Sequence, residues 1–501
     1  MTVIRNRAMP RSAGVLLHPT SLPGPYGIGD LGAPARAFVD WLAVSGMRLW
    51  QILPLVPTGH NGSPYSSWSA FAGNPDLVAL DELVALGLLA PSDLPPPAPA
   101  SGPIDYAAAR ALRRPALAKA VQALLRGGGT LAAELSTWKE HVPWVAETAL
   151  FASLKEREEG KPWWEWPATL RDRKPAALAA AARELRTELD NAVAMQFLFA
   201  RQWQALRAYA ASKGVTFIGD VPIYVDGDSA DVWAGRELFE LGRNGRPERV
   251  SGVPPDAFSA TGQRWGNPLY RWDKMANDGF AWWQTRLRRS LELTDWVRID
   301  HFRGLSAYWA VPADAPDARS GAWVTGPGLA LFDALHNALG SLPVIAEDLG
   351  VIDDDVRALL AAADLPGMKV LQFAFGETAI NPYLPHNHTP QSVVYTGTHD
   401  NDTTRGWWHS QPEHVRHHVR VYLSTPGDDI AWDFIRAALA SVARFAIIPM
   451  QDVLSLDRHA RMNTPSVSAG NWRWRLAPGD LKPEVARRLR HLVELFGREG
   501  V

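Results

Sequence analysis

Eight short apolar runs, each bounded by turn residues and most ending in a polar or charged side chain, recur along the chain and limit what it can fold into. They lie at 15–17 (VLL), 49–55 (LWQILPL), 217–225 (FIGDVPIYV), 296–300 (WVRID), 344–347 (VIAE), 369–375 (KVLQFAF), 393–396 (VVYT) and 446–450 (AIIPM). Runs this brief and this rich in Val, Ile and Leu suit strands buried on both faces of a parallel sheet. Helical patterns fall between many of them, at 33–45, 281–293, 327–339, 353–363 and 431–440. Eight strands alternating with helices predict an α/β fold, a (β/α)8 TIM barrel.

Two connections are too long for a simple barrel. About 160 residues separate Leu55 from Phe217, against a crossover of roughly a dozen or more. The stretch holds a Pro/Ala tract at 94–103 and Ala/Leu/Arg/Glu-rich helical segments. We expect a single catalytic domain over 1–501, with a mainly α-helical insertion at 76–195 after the second strand. A second insertion, 226–295, carries DGDSADVWAG and VSGVPPDAFSATGQRWGNP. Gly, Pro, Asn and Asp at that density predict an irregular loop or small subdomain that carries an active-site lid at 251–268. DGDSADVWAG is oxygen-rich, but it lacks the EF-hand register and terminal Glu of a cation loop, so it reads as a turn.

Composition narrows the partners. Lys and Arg number 51 against 53 Asp and Glu, a net charge of −2, which gives no electrostatic footprint for nucleic acid or an anionic membrane. There is no cysteine, so disulfides, thiolate metal sites and cysteine nucleophiles are all excluded. The basic N-terminus precedes only the short run at 15–17, too little for a signal peptide, and no stretch approaches a membrane span. A cytoplasmic protein is expected. The 22 tryptophans supply flat apolar faces that stack well on sugar rings.

Barrel enzymes place their catalytic groups at the C-terminal ends of strands. Asp300 ends the fourth run, Glu347 ends the fifth, and Asp400 follows the seventh. One acid at a strand end is commonly a cap or an ion-pair partner; three at nearby barrel positions, with aromatics close by, point to a site. Residues i and i+2 share a strand face, so Arg298 and Asp300 point towards the barrel mouth while Val297 and Ile299 point to the helices. Arg298 favours an ionised Asp300, suited to a nucleophile. Glu347 follows Ile345 and Ala346, and partial burial would keep it protonated, suited to a general acid. Two carboxyl groups with separated pKa values are what glycosidic-bond cleavage requires. HNH at 386–388 and THD at 398–400 lie near one strand, without the HxH of a barrel metallohydrolase, so no metal and no cofactor is expected.

The stretches LLHPTSLPGPYGIGDLG, WQILPLVPTG, SPYSSWSAFAGNP, GDVPIYV, GQRWGNPLY, RIDHFRG, AEDLG, GMKVLQFAF, THDNDT and ARMNTPSVSAGNWRWR together resemble the 4-α-glucanotransferases of the amylomaltase type, within the wider α-amylase clan. The resemblance implies transfer of α-1,4-glucan segments between chains through a covalent glucosyl intermediate. Maltooligosaccharides and α-1,4-glucans are then the expected partners, and a monomer the expected state. By motif, Asp300 is the nucleophile, Glu347 the acid/base, and Asp400 the residue that grips the distorted ring. Arg298 and His399 support that ring. Ser63, Tyr65, Gln263, Trp265, Lys369, Phe373 and Asn471 match glucan-contacting positions, and Asp256 falls in the mobile loop over the site. Three places depart from the family pattern: His60-Asn61-Gly62 where an aromatic can stand, Ser66 for a common Gln, and Pro465-Ser466-Val467 for the usual Pro-Gly-Thr. The C-terminal β-sandwich common elsewhere in the clan is not expected here.

Overall fold

Each apolar run forms a strand, and a small second sheet joins them. The computed structural model describes residues 10–59, 61–255 and 259–500. Its strands are β1 (Ser12–Leu16), β2 (Leu49–Gln51), β3 (Thr216–Pro222), β4 (Arg249–Val253), β5 (Gln263–Pro268), β6 (Trp296–Asp300), β7 (Ala307–Pro312), β8 (Ala322–Thr325), β9 (Val344–Ala346), β10 (Gly367–Val370), β11 (Ser392–Tyr395) and β12 (Phe445–Pro449). Eight of these close a barrel in the order β1-β2-β3-β6-β9-β10-β11-β12, all pairs parallel.

Alternation along the strands sorts the core into layers. Leu16, Leu49, Ile218, Trp296, Ile345, Met368 and Phe445 pack together inside the barrel. On β6, Val297 and Ile299 pack outward with helix residues Leu287, Leu331 and Leu335. Arg298 and Asp300 therefore take the inner face, as strand parity requires.

Three features differ from expectation. The 226–295 segment, expected as a loop or small subdomain, is not wholly irregular: it contributes β4 and β5 to an antiparallel sheet of order β5-β4-β7-β8. These strands escape notice because β5 is largely exposed and rich in Gly, Asn and Pro, and because the β4–β5 register shifts between Val250 and Gly252. Gly252 is required there, since a Cβ would stand 2.4 Å from the Gln263 carbonyl oxygen. Second, the KVLQFAF strand stops at Val370, and Leu371–Phe373 form a 3-10 turn. Buried Leu371 and Ala374 anchor that turn, and the Gln372 amide donates to the Asp402 carbonyl at 2.9 Å. Third, the long connection between β2 and β3 is helical (Tyr106–Arg126, Thr130–His141, Val145–Arg157, Pro175–Glu184 and Arg186–Ser212), but residue 195 falls inside its last helix. That 27-residue helix leads directly into β3, with the Trp203 ring 4.9 Å from Phe217; it serves the barrel as well as the insertion. After β12 the described residues form helices and turns, and no described helix is long and apolar enough to cross a membrane.

Candidate active site

The C-terminal strand ends open into a cleft of about 1140 Å³ lined by Asp300, Glu347 and Asp400 together. Asp300 is the last residue of β6. In-register pairing of β3 with β6 sets Asp220 beside Arg298, and the Arg298 guanidinium donates to Asp220 Oδ2 at 2.8 Å and to Asp300 Oδ1 at 2.7 Å. Tyr65, from the loop after β2, donates its hydroxyl proton to the same Asp220 oxygen at 2.6 Å. Its oxygen is then left to accept from His399 Nε2 at 2.9 Å. His399 Nε2 is also 3.4 Å from Asp400 Oδ1. A continuous polar chain thus runs Asp300–Arg298–Asp220–Tyr65–His399–Asp400 along the cleft floor.

Asp400 sits in the turn after β11 and accepts from the Asn463 amide at 2.6 Å. Glu347 follows β9. Its Oε2 accepts the His301 backbone N–H at 2.6 Å and its Oε1 the Leu349 N–H at 3.0 Å. The first of these requires His301 to adopt φ 54°, a left-handed conformation uncommon outside glycine. The residue next to Asp300 therefore holds Glu347 in place.

Electrostatics separates the two acids. Burial pushes the Asp300 carboxyl up to about 6, outweighing the opposing pull of Arg298. The sequence expectation weighed Arg298 alone and missed this desolvation. Burial, reinforced by the Asp300 charge, pushes Glu347 well above the ordinary carboxyl range. Both carboxyls are raised, Glu347 further than Asp300, and such a separation is what a carboxylate nucleophile beside a proton donor would require.

The other sequence-derived positions divide. Ser63, Tyr65, Gln263, Trp265, Arg298, His399 and Asn471 line the cleft. Trp265 is 39% exposed, standing edge-on to His301 at 4.7 Å, and its Nε1 donates to Gln263 Oε1 at 3.1 Å. Asn471 spends its amide on its own loop: the oxygen accepts from Thr464 N–H at 2.9 Å, and the nitrogen donates to the Val467 carbonyl at 2.8 Å. Lys369 and Phe373 are not among the cleft-lining residues; Tyr383 packs beside both, 5.8 Å from the Lys369 ammonium and 5.6 Å from the Phe373 ring. Asp256 and His60 lie outside the described residues.

Sequence reasoning missed Asp220, Asn463 and the His301 backbone. Asp220 had a readable signal, as the one charged residue within the apolar run 217–225. The described residues hold no group of three or more His, Asp or Glu side chains placed to bind a metal ion.

A family model described as 4-alpha-glucanotransferase matches residues 17–481. The 4-alpha-glucanotransferase of Thermus thermophilus is 48% identical, over 98% of this chain and 99% of its own length. The chloroplastic/amyloplastic enzyme of Solanum tuberosum is also 48% identical, over 97% of this chain and 86% of its own. Among solved structures, the amylomaltase from Streptococcus agalactiae in complex with acarbose superposes with a TM-score of 0.94 at 38% identity, covering 97% of this chain and 99% of that one. The amylomaltase of Corynebacterium glutamicum shares the fold, with a TM-score of 0.76 at 17% identity over 98% of this chain and 75% of that one. With a family model that spans every strand-end acid and relatives 48% identical over almost the whole chain, the chain belongs to the 4-alpha-glucanotransferase family.

Proposed function

We propose that the chain moves α-1,4-glucan segments from a donor to the 4-hydroxyl of an acceptor glucan or glucose, by a retaining double displacement on Asp300 and Glu347. The observation that carries this reading is the pair of acids in one cleft, Asp300 held by Arg298 and Glu347 pushed well above the ordinary carboxyl range by burial. In the first step an Asp300 oxygen attacks C1 of the bound glucose unit. The glycosidic C1–O bond breaks, and the Glu347 proton passes to the leaving oxygen. In the second, the acceptor 4-hydroxyl attacks C1, its proton goes to the Glu347 carboxylate, and the ester bond to Asp300 breaks. Two inversions at C1 restore the starting configuration. Asp400, oriented by Asn463, accepts hydroxyls of the distorted ring.

Ser63, Tyr65, Gln263, Trp265, Arg298 and His399 complete the sugar-binding surface in this reading, and Asn471 enters it through the loop it holds. Lys369, Phe373 and Asp256 keep a glucan-contacting role here on the strength of motif alone. The reading takes maltooligosaccharides as ligands, a monomeric enzyme and a cytoplasmic location. The acarbose-bound Streptococcus agalactiae relative supports the choice of ligand. Incubation with maltotriose tests the function: glucose should appear together with maltopentaose and longer chains while total reducing ends stay nearly constant. Reducing ends that rise with each bond cleaved, without longer products, would make the chain a hydrolase instead.

A further inference from the structure

The loop after β3 carries an acid that the double displacement does not use. Asp226 opens the DGDSADVWAG segment and lines the same cleft as Asp300 and Glu347. Its position is fixed from both sides. Oδ1 accepts the Asp228 N–H at 2.9 Å, and the preceding Val225 carbonyl accepts the Asn267 amide at 2.9 Å. The neighbouring Asp228 is committed elsewhere, paired with Lys155 and accepting the Trp163 N–H at 3.1 Å. Lys155 therefore bonds directly to Asp228, and its charge reaches Asp226 only at a distance. Among the described residues none donates to Asp226 Oδ2. Burial pushes the carboxyl above its ordinary range, against a partial pull from the more distant Lys155, so in this cleft wall the second oxygen is partly desolvated and lacks a hydrogen-bonded cation among the described residues. A site of that kind is satisfied by hydrogen-bond donors.

The wall of the cleft to which Asp226 belongs identifies the donors. Asn267, which ties down the Asp226 loop, and Trp265 are two residues apart on β5 and so share a strand face. Trp265 meets the His301 ring, and the His301 N–H holds Glu347. In the transfer reading, Glu347 serves the oxygen that leaves and the oxygen that arrives. This wall is accordingly the acceptor side of the cleft.

We infer that Asp226 is a specificity-determining residue for the acceptor, its free carboxylate oxygen accepting a hydroxyl of an acceptor glucose unit other than the reacting 4-hydroxyl. The inference rests on the transferase reading and names a recognition contact within it. A hydroxyl donated to a carboxylate is worth about tenfold or more in binding, enough to discriminate between acceptors that differ by one oxygen.

The full chain, maltotriose as donor, and radiolabelled glucose, 2-deoxyglucose, 3-deoxyglucose or 6-deoxyglucose as acceptor provide the test. The unaltered enzyme should show kcat/KM at least about tenfold lower for one of the deoxy acceptors than for glucose. Asp226→Ala should bring that ratio close to one, by lowering the glucose value rather than raising the other. Asp226→Ser retains an oxygen able to cap the Asp228 N–H while removing the second one. It should flatten the ratio too, so loss of the turn cannot account for the result, and it decides the question if the Ala variant fails to fold. A discrimination profile unchanged in a folded variant, or equal use of all four acceptors by the unaltered enzyme, overturns the assignment of Asp226. If the unaltered enzyme elongates no acceptor, glucose included, the transferase reading itself fails.

Discussion

At the residue scale, burial raises both principal acids and their neighbours set them apart, the Arg298 cation pulling Asp300 down while the Asp300 charge pushes Glu347 further up. Asp300 must be ionised to attack, and its raised pKa of about 6 sets the acid limb of the rate profile. kcat/KM should rise as pH passes through about 6 and fall at higher pH as Glu347 loses its proton. Arg298 is the cation that lowers Asp300, so Arg298→Met should move the acid limb to higher pH, by about one unit or more. An unmoved limb in a folded variant would show that the limb belongs to another group. The covalent roles separate through a donor whose leaving group needs no proton. With α-glucosyl fluoride, Asp300→Asn should stay inactive, whereas Glu347→Gln should still be glycosylated, even though it fails on maltotriose by about a hundredfold or more. Equal loss on both donors would contradict the separate roles. The strand-end acids were legible because apolar runs stop at them. Asp220 was overlooked because its partners Tyr65 and Arg298 are 155 and 78 residues away, separations closed by the β3–β6 register for Arg298 and by the loop after β2 for Tyr65. The His301 N–H that holds Glu347 carries no side-chain signal at all.

At the element scale, barrel strands could be read and sheet strands could not, for one reason. A strand buried on both faces is a continuous apolar run, as in Val393–Tyr395. An exposed strand such as β5 reads QRWGNP and mimics a turn. Loop 463–471 instead holds strain at a single residue. Ser466 adopts φ 65°, a conformation that favours glycine. Asn471 then holds the strained loop through Thr464 and Val467, next to the Asn463 that orients Asp400. Asn471→Ala should raise KM for maltotriose severalfold and speed amide exchange across 463–471, because about 1–2 kcal/mol of hydrogen bonding is lost there. Adding Ser466→Gly should recover part of the loss by relieving the backbone. If exchange in the loop is unchanged while KM rises, Asn471 acts on the sugar directly.

At the scale of the whole molecule, the fold must explain why a glucosyl ester waits for sugar when water is abundant. Water is at about 55 M, so chemistry alone favours hydrolysis; an acceptor held in line with the ester gains an effective molarity of roughly 10⁵ M or more. The barrel carries the strand-end acids, and the segment between β3 and β6 forms one wall of the cleft, the wall to which we assign the acceptor. On that wall β5 brings Gln263 and Trp265 to the cleft, backed by β4, β7 and β8. Trp265 is positioned by its contacts with His301 and Gln263 yet remains 39% exposed. An aromatic face so placed can stack an acceptor ring and, once covered, keep water from the ester. Trp265→Ala removes the platform without touching Asp300, Arg298 or Glu347. Consumption of α-glucosyl fluoride should therefore continue while its fate changes, with the ratio of free glucose to elongated product rising about tenfold at a fixed maltose concentration. Increasing maltose should only partly reverse that ratio, since a weakly held acceptor is also a poorly aligned one. Were saturating maltose to restore the original ratio in full, Trp265 would contribute affinity alone, and alignment of the acceptor would have to come from other residues of the wall.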